Sequence, residues 1–155
     1  MGKVLNSWLK MKREPQPMEE ALLNLYVASH LLKDESEKIC TKFGITTGQY
    51  NVLRILNGVY PEGHPRCEIV TRMIERAPDI TRLIDRLEKQ EFVERDRTDK
   101  DRRKSITIIT KKGLDLIKNI HPELAKLTKK MSEKLSLKEA KELSQICEKL
   151  YADLI

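Results

Sequence analysis

The sequence is poor in aromatic residues and in cysteine. Aromatic residues make up 5% of its 155 residues, although hydrophobic residues reach 39% and could build a core. The cysteines are Cys40, Cys67 and Cys147. Because they are odd in number and widely spaced, with no CxxC pair, neither a disulfide framework nor a zinc site is indicated, and reduced thiols are expected.

Motifs that carry catalysis are also missing. The chain has no nucleophile elbow, phosphate loop, HExxH sequence or paired-carboxylate arrangement, so no enzyme is predicted. His30, His64 and His121 show no ligand spacing to one another or to the cysteines, and we predict no metal and no cofactor. Cys67 follows His64 near an expected helix start, a setting that can lower a thiol pKa, but apolar packing is the prediction for all three cysteines.

No apolar segment approaches the length of a membrane span. The N-terminal stretch MGKVLNSWLKMKREPQP is interrupted by lysines where a signal peptide needs an apolar segment, so a cytoplasmic protein is expected. The chain carries 30 Lys and Arg against 24 Asp and Glu, a formal charge of +6. This balance favours an anionic partner without identifying it.

Residues 1–17 have the character of a separate basic arm. A short apolar face of Val4, Leu5, Trp8 and Leu9 lies among lysines, before Pro15 and Pro17 stop the pattern. Such an arm could pack on a partner subunit or touch an anionic surface, or it could fray as chain ends often do.

Apolar residues at helical spacing predict two helices after this arm. The first runs from Met18 to about Phe43, with Gly44 as its C-terminal cap. The second begins at Thr46 and ends where Asn57-Gly58 marks a turn. The connection over residues 60–66, with two prolines and a glycine, could include a short edge strand.

Two shorter helices should follow. The first is expected over about residues 67–76, with its buried side formed by Ile69, Val70, Met73 and Ile74. Pro78 then starts the next helix at a position that proline tolerates. That helix has apolar residues at i, i+3, i+4 and i+7, namely Ile80, Leu83, Ile84 and Leu87, so one face lies on a core.

A charged hairpin comes next in the chain. In its second strand Ile106 and Ile108 lie on one side, and Ser105 and Thr107 on the other. The strands are separated by the polar segment 96–104, which buries nothing, so something outside the protein would have to order it. Two short helices followed by such a hairpin predict a mainly α fold with a small antiparallel β wing, a winged helix-turn-helix.

The chain then returns to helix. Leu114, Ile117, Ile120, Leu124 and Leu127 mark one helix, with a kink or break expected at Pro122. The last helix opens with the capping box of Ser136 and Glu139.

Three segments of the sequence resemble the MarR-type winged-helix regulators of bacteria and archaea. They are TRLIDRLEKQ (81–90), VER (93–95) and DKDRRKSITIITKKG (99–113), and the resemblance extends more loosely over about residues 18–155. The chain departs from the family pattern at Glu91, where members usually have a glycine. The usual glycine between the two DNA-binding helices is also missing, with residues 74–78 in its place.

The resemblance implies a homodimer that binds double-stranded DNA. Residues 18–45 and 111–155 would form N- and C-terminal dimerisation helices, and 46–110 the winged helix-turn-helix. Such a protein is expected to be a repressor of a near-palindromic operator, relieved in many members by a small aromatic or phenolic effector. The alternatives are a winged helix that docks an acidic protein, and an architectural DNA binder without sequence preference.

The resemblance also implies which side chains meet DNA. The recognition helix would enter the major groove and the wing the minor groove, with Arg103 inserted, Asp101 bracing it and Asp85 holding a wing arginine. The candidates at the recognition helix are Pro78, Asp79, Thr81, Arg82, Asp85, Arg86 and Lys89. The candidates in the wing are Arg97, Lys100, Asp101, Arg102, Arg103 and Lys104. If the resemblance misled, these residues would form only a solvated, self-neutralising face.

Overall fold

The computed structural model describes residues 2–75, 79–96 and 105–154. It divides into two compact units, Met1–Thr47 and Gly48–Ile155. The fold is mainly helical with one small antiparallel sheet, which confirms the predicted fold class.

The first unit contains two helices, α1 (Lys3–Leu9) and α2 (Pro17–Lys42). Pro17 stands at the first helical position of α2, where its missing N–H costs nothing. At the other end Gly44 has a φ of 75°, the left-handed conformation that glycine adopts readily, so its predicted role after the helix is confirmed.

The N-terminal arm is anchored to the start of α2. The Gly2 amide donates to Glu20 Oε1 at 2.5 Å, and Arg13 pairs with Glu19 at 2.8 Å. Leu5 is buried, but Trp8 is 55% exposed. The arm therefore buries only part of its predicted apolar face.

The second unit contains the other helices and the sheet. Its helices are α3 (Thr47–Asn57), whose first residue belongs to the first unit, α4 (Arg66–Thr71), α5 (Ile80–Lys89), α6 (Lys111–Ser132) and α7 (Leu137–Tyr151), with a final 3-10 turn at Ala152–Leu154. Its strands are β1 (His64–Pro65), β2 (Val93–Asp96) and β3 (Ile106–Ile109), in the order β1-β3-β2. Both strand pairs are antiparallel.

The core of this unit is aliphatic. Its fully buried members include Val52, Leu53, Leu56, Ile69, Leu87, Val93 and Ile120. Helix α5 contacts both α4 and β2, so the two short helices and the first strand of the wing are joined directly.

Helix α4 is shorter than predicted. It ends at Thr71, whose hydroxyl donates to the Glu68 carbonyl at 2.9 Å, a local bond that competes with helical pairing. The apolar spacing that predicted a longer helix is not used, because Ile74 is 83% exposed. The next helix begins two residues later than expected, at Ile80, with Asp79 as its N-cap in place of a start at Pro78.

The alternation of β3 predicted two sides of the strand, and the structure shows which side is buried. Thr107 and Ile109 are buried, whereas Ile106 is 38% exposed. Thr107 is paired with His64 on one side and with Arg95 on the other, so it lies in the middle of the sheet. The strand thus buries a hydroxyl-bearing residue and leaves an isoleucine at the rim.

The last two helices confirm one prediction and exclude one of two alternatives. Helix α6 continues through Pro122 without the break considered for that position. Helix α7 has the predicted capping box, in which Ser136 Oγ accepts from the Glu139 amide and the Glu139 carboxylate accepts from the Ser136 amide at 2.8 Å. No residue of α7 is buried.

Candidate nucleic-acid interface

Helix α5 separates an apolar face from a polar one. Ile80, Ile84 and Leu87 are buried. The five predicted contact residues within the helix are all exposed: Thr81, Arg82, Asp85, Arg86 and Lys89. The sequence therefore places a row of polar side chains on the outer surface of a helix whose other side is fixed to the core.

The first turn of α5 is organised by Asp79. Its carboxylate accepts from the Arg82 amide at 3.3 Å and pairs with Arg82 Nε at 2.8 Å. Its carboxylate therefore caps the helix, and its predicted contact with bases or phosphates stays a prediction. Arg82 nevertheless extends into solvent, with 78% of its side chain exposed.

The last turn of the helix carries two further cations. Arg86 and Lys89 form no ion pair with any residue in the described ranges. An anionic partner would stabilise two such cations on one helix surface.

Two ion pairs join α5 to β2. Arg95, on β2, pairs with Asp85 through one nitrogen and with Glu88 through another, at 3.1 Å for the second pair. Asp85 was expected to hold a wing arginine, and the arginine it holds is Arg95. Only 23% of the Arg95 side chain is exposed, so this pair is shielded more than a surface ion pair.

The turn between α5 and β2 has an unusual backbone. Glu91 adopts a φ of 62°, the left-handed conformation for which glycine is the natural choice. Its carbonyl accepts from Thr110 Oγ1 at 2.7 Å and its carboxylate pairs with Lys112 Nζ at 2.8 Å. Lys112 lowers the pKa of the Glu91 carboxyl, mainly through its hydrogen bond and secondly through its positive charge.

Lys112 also lies over the Phe92 ring, with Nζ 5.4 Å from the ring centroid. Glu91, which stands where the resemblance led us to expect a glycine, thus has a positive φ, and three contacts surround this turn.

Sequence reasoning missed two residues whose side chains bind the side chains of α5. Arg95 lies on the same side of β2 as buried Val93. A cation on an inward strand face needs a carboxylate partner, so the alternation of β2 could have indicated an ion pair at Arg95. Arg66 Nη1 donates to Thr81 Oγ1 at 3.1 Å, across 15 residues. No periodicity signals that contact.

The remaining predicted residues fall outside the described part of the chain. They are Pro78, Arg97, Lys100, Asp101, Arg102, Arg103 and Lys104. Their roles stay predictions of the resemblance.

The cysteines have three different environments. Cys40 is buried, Cys147 is half-buried and Cys67 is exposed. Burial raises the pKa of Cys40 to about 11, so this thiol stays protonated. Apolar packing, which was predicted for all three, is wrong for Cys67, because the short helix α4 starts next to it at the surface.

Comparison with known proteins identifies the fold and the family. The family model of the transcriptional regulators SarA and Rot matches residues 35–120. The crystal structure of a MarR transcription factor from Planctomyces limnophilus is 34% identical in sequence, with a TM-score of 0.68, and the match covers 88% of this chain and 98% of that one. The chain belongs to the MarR family. The predicted resemblance is thus confirmed, and the chain is a transcription regulator of the winged-helix type.

Two further relatives extend this family assignment. The HTH-type transcriptional regulator MhqR of Bacillus subtilis (strain 168) is 28% identical over 138 residues, which cover 86% of this chain and 93% of MhqR. The S. aureus MepR-DNA complex has a TM-score of 0.74 at 20% identity, covering 84% of this chain and 95% of that one, and supports the fold alone. No helix among the described residues is long and apolar enough to cross a membrane.

Proposed function

We propose that this MarR-family chain is a homodimeric repressor that binds a near-palindromic operator. Helix α5 enters the major groove, and the segment between β2 and β3 reaches the adjacent minor groove. The observation that carries the proposal is the two-sided character of α5, with Ile80, Ile84 and Leu87 in the core and the polar row outside. A structural neighbour, MepR, forms a complex with DNA, which supports the same use of this fold.

The cationic side chains then fall into three roles at the DNA. Arg82 and Arg86 read guanine edges or hold phosphates, as bidentate guanidinium donors do. Lys89 and the lysines and arginines of residues 97–104 hold phosphates, which supply affinity without sequence discrimination. Arg103 enters the minor groove beside Asp101.

The dimer follows from apolar surface that the single chain leaves exposed. On α7 Leu143, Ile146 and Leu150 are 42%, 55% and 59% exposed. On α2 Leu22 and Tyr26 are 48% and 64% exposed. A second copy would bury such surface, and residues 18–45 and 111–155 then act as the dimerisation segments.

Repression follows from occupancy, because a dimer seated on a promoter blocks it without any further contact. The family resemblance favours relief by a small aromatic or phenolic effector. Such a compound must bind the DNA-incompetent conformation more tightly than the competent one. Adding benzoate and phenol derivatives to the preformed complex tests this part, with release of DNA as the expected result.

The main test is selection of the purified protein against a random duplex library at about physiological salt. We expect enrichment of a palindrome whose half-sites lie about one helical turn apart. Binding with no enriched sequence would favour an architectural DNA binder, and absence of binding to any duplex would favour a module that docks an acidic protein.

Two variants then test the assignment of the contacts. Arg103→Ala should weaken binding, and unchanged affinity would remove the wing from the proposal. Arg82→Ala should cost about 1–3 kcal/mol on the enriched duplex if Arg82 reads a base, and should act equally on all duplexes if it holds a phosphate.

A further inference from the structure

Arg66 reaches the recognition helix from outside it. It is the first residue of α4, it is exposed, and its Nη1 donates to Thr81 Oγ1 at 3.1 Å. Thr81 is the second residue of α5 and lies on the exposed face. The guanidinium is thereby held at the end of α5 where the polar row begins.

The charge of Arg66 is not neutralised within the described residues. Among the described residues of the same unit, three arginines have carboxylate partners: Arg72 pairs with Glu68 at 3.4 Å, Arg82 with Asp79 at 2.8 Å and Arg95 with Glu88 at 3.1 Å, whereas Arg86, like Arg66, has none. Arg66 forms no ion pair in residues 2–75, 79–96 and 105–154, and its hydrogen bond goes to a neutral hydroxyl. A cation fixed in this way lacks the anion that its chemistry favours.

The hydrogen bond also sets the role of Thr81. A hydroxyl has one proton and two lone pairs, and Arg66 occupies a lone pair. The Thr81 proton is then directed away from the guanidinium. Thr81 is prepared to donate a hydrogen bond, and a donor selects acceptors such as guanine O6 and N7, thymine O4 or a phosphate oxygen.

We infer that Arg66 and Thr81 bind DNA as one unit. The Arg66 guanidinium takes a backbone phosphate oxygen with the donors that Thr81 leaves unused, and the Thr81 hydroxyl donates to an acceptor beside that phosphate. Arg66 is thus a DNA contact outside α5 as well as the residue that positions Thr81. The inference rests on the proposed function, because it requires the exposed face of α5 to meet DNA.

The test compares four variants of the full-length protein: Arg66→Ala, Arg66→Lys, Thr81→Val and the double variant with Ala and Val. Arg72→Ala is the matched control, since it removes the same charge at the opposite end of the same helix, from an arginine that pairs with Glu68. Dissociation constants are measured by fluorescence anisotropy over a series of salt concentrations. Two duplexes are used, the enriched one and one of unrelated sequence.

We expect Arg66→Ala to weaken binding about tenfold on both duplexes. The slope of log K against log salt should become shallower by about 1.8, because each subunit of the dimer loses one phosphate contact. Arg66→Lys should keep the slope of the parent protein, because the charge remains. The fold-losses in affinity from Arg66→Ala and Thr81→Val should not multiply. The double variant should bind at least about threefold more tightly than the product of the two single losses predicts. Arg72→Ala should bind within about twofold of the parent.

Three results would overturn the inference. They are parent-like binding and slope in Arg66→Ala, an equal loss in Arg72→Ala, and single losses that multiply fully in the double variant. Thermal melts of each variant separate loss of contact from loss of folding, and Arg66→Lys keeps the test open if Arg66→Ala unfolds.

The proposed function fails in a different way from this inference. A parent protein that prefers no sequence fails as an operator-binding repressor, yet the salt slopes on a fixed duplex still decide the role of Arg66. A parent protein that selects a palindrome while Arg66→Ala binds equally well refutes this inference alone.

Discussion

Gly113→Ala should destabilise the protein, although alanine is the better helix former. Gly113 is the third residue of α6. A Cβ built there would lie 2.3 Å from the Phe92 carbonyl oxygen and 2.7 Å from Ile109 Cγ1. The Phe92 carbonyl also accepts from the Thr110 amide at 3.1 Å, and Ile109 is 2% exposed, so neither neighbour is free to retreat.

The magnitude follows from two opposing effects. Forcing an additional carbon into a packed site costs about 1–3 kcal/mol, and a backbone clash of this depth belongs at the upper end. The higher helix propensity of alanine returns at most about 1 kcal/mol. We expect a net loss of about 2 kcal/mol in the free energy of unfolding, which for a chain of this size lowers Tm by about 4–8 °C.

The assay is thermal unfolding followed by circular dichroism at one fixed protein concentration, because dimerisation would make Tm depend on concentration. Gly58→Ala is the control. Its Cβ would find only ordinary contacts, with the Ile55 carbonyl oxygen nearest at 3.4 Å. Its Tm should stay within about 2 °C of the parent. If Gly113→Ala melts as high as Gly58→Ala, the close approach of α6 to Phe92 is not what the glycine serves.

Four further perturbations follow from local geometry. Glu91→Gly should raise Tm because glycine is unstrained at a φ of 62°, whereas Glu91→Gln keeps the strain and should not, so equal melts would contradict this reasoning. Ser136→Ala should cost about 1 kcal/mol in urea unfolding at neutral pH, as N-cap losses do. The hydrogen bond from the Ser136 hydroxyl lowers the pKa of Glu139 from its usual 4.5. Glu139→Gln should therefore reduce the free energy of unfolding above that pH, and the difference from the parent should fade as acid protonates the native carboxylate. A difference that stays constant with pH would refute the assignment. Iodoacetamide at about pH 8 should alkylate Cys67 and spare Cys40 in the native protein, since burial holds the pKa of Cys40 near 11; mass spectrometry showing Cys40 modified first would contradict it.

The sequence was sufficient for elements whose signals are local. The periodicity of α5 predicted its buried and exposed faces, and the capping box at Ser136 marked the start of α7. The glycine missing at Glu91 drew attention to a position that does have a positive φ. In each case neighbouring residues along the chain carry the information.

It was insufficient where distant contacts decide. Arg66 and Thr81 are 15 residues apart, and Arg95 reaches Asp85 from another element, so no spacing rule finds these pairs. The alternation in β3 separated its two faces but did not indicate which one is buried, and the structure buries Thr107 and Ile109. The length of α4 was overestimated because the apolar spacing continues past Thr71, where the helix ends.

Helix α6 follows the wing with a single residue between them. Strand β3 ends at Ile109, Thr110 caps the helix, and α6 then runs for 22 residues, a rod of about 33 Å. The hairpin is attached to one end of this rod. A tilt of about 10° around the far end of α6 therefore moves the hairpin by about 6 Å, which equals the width of the minor groove of B-DNA. A small change in the angle of α6 would thus be enough to take the hairpin out of register with that groove.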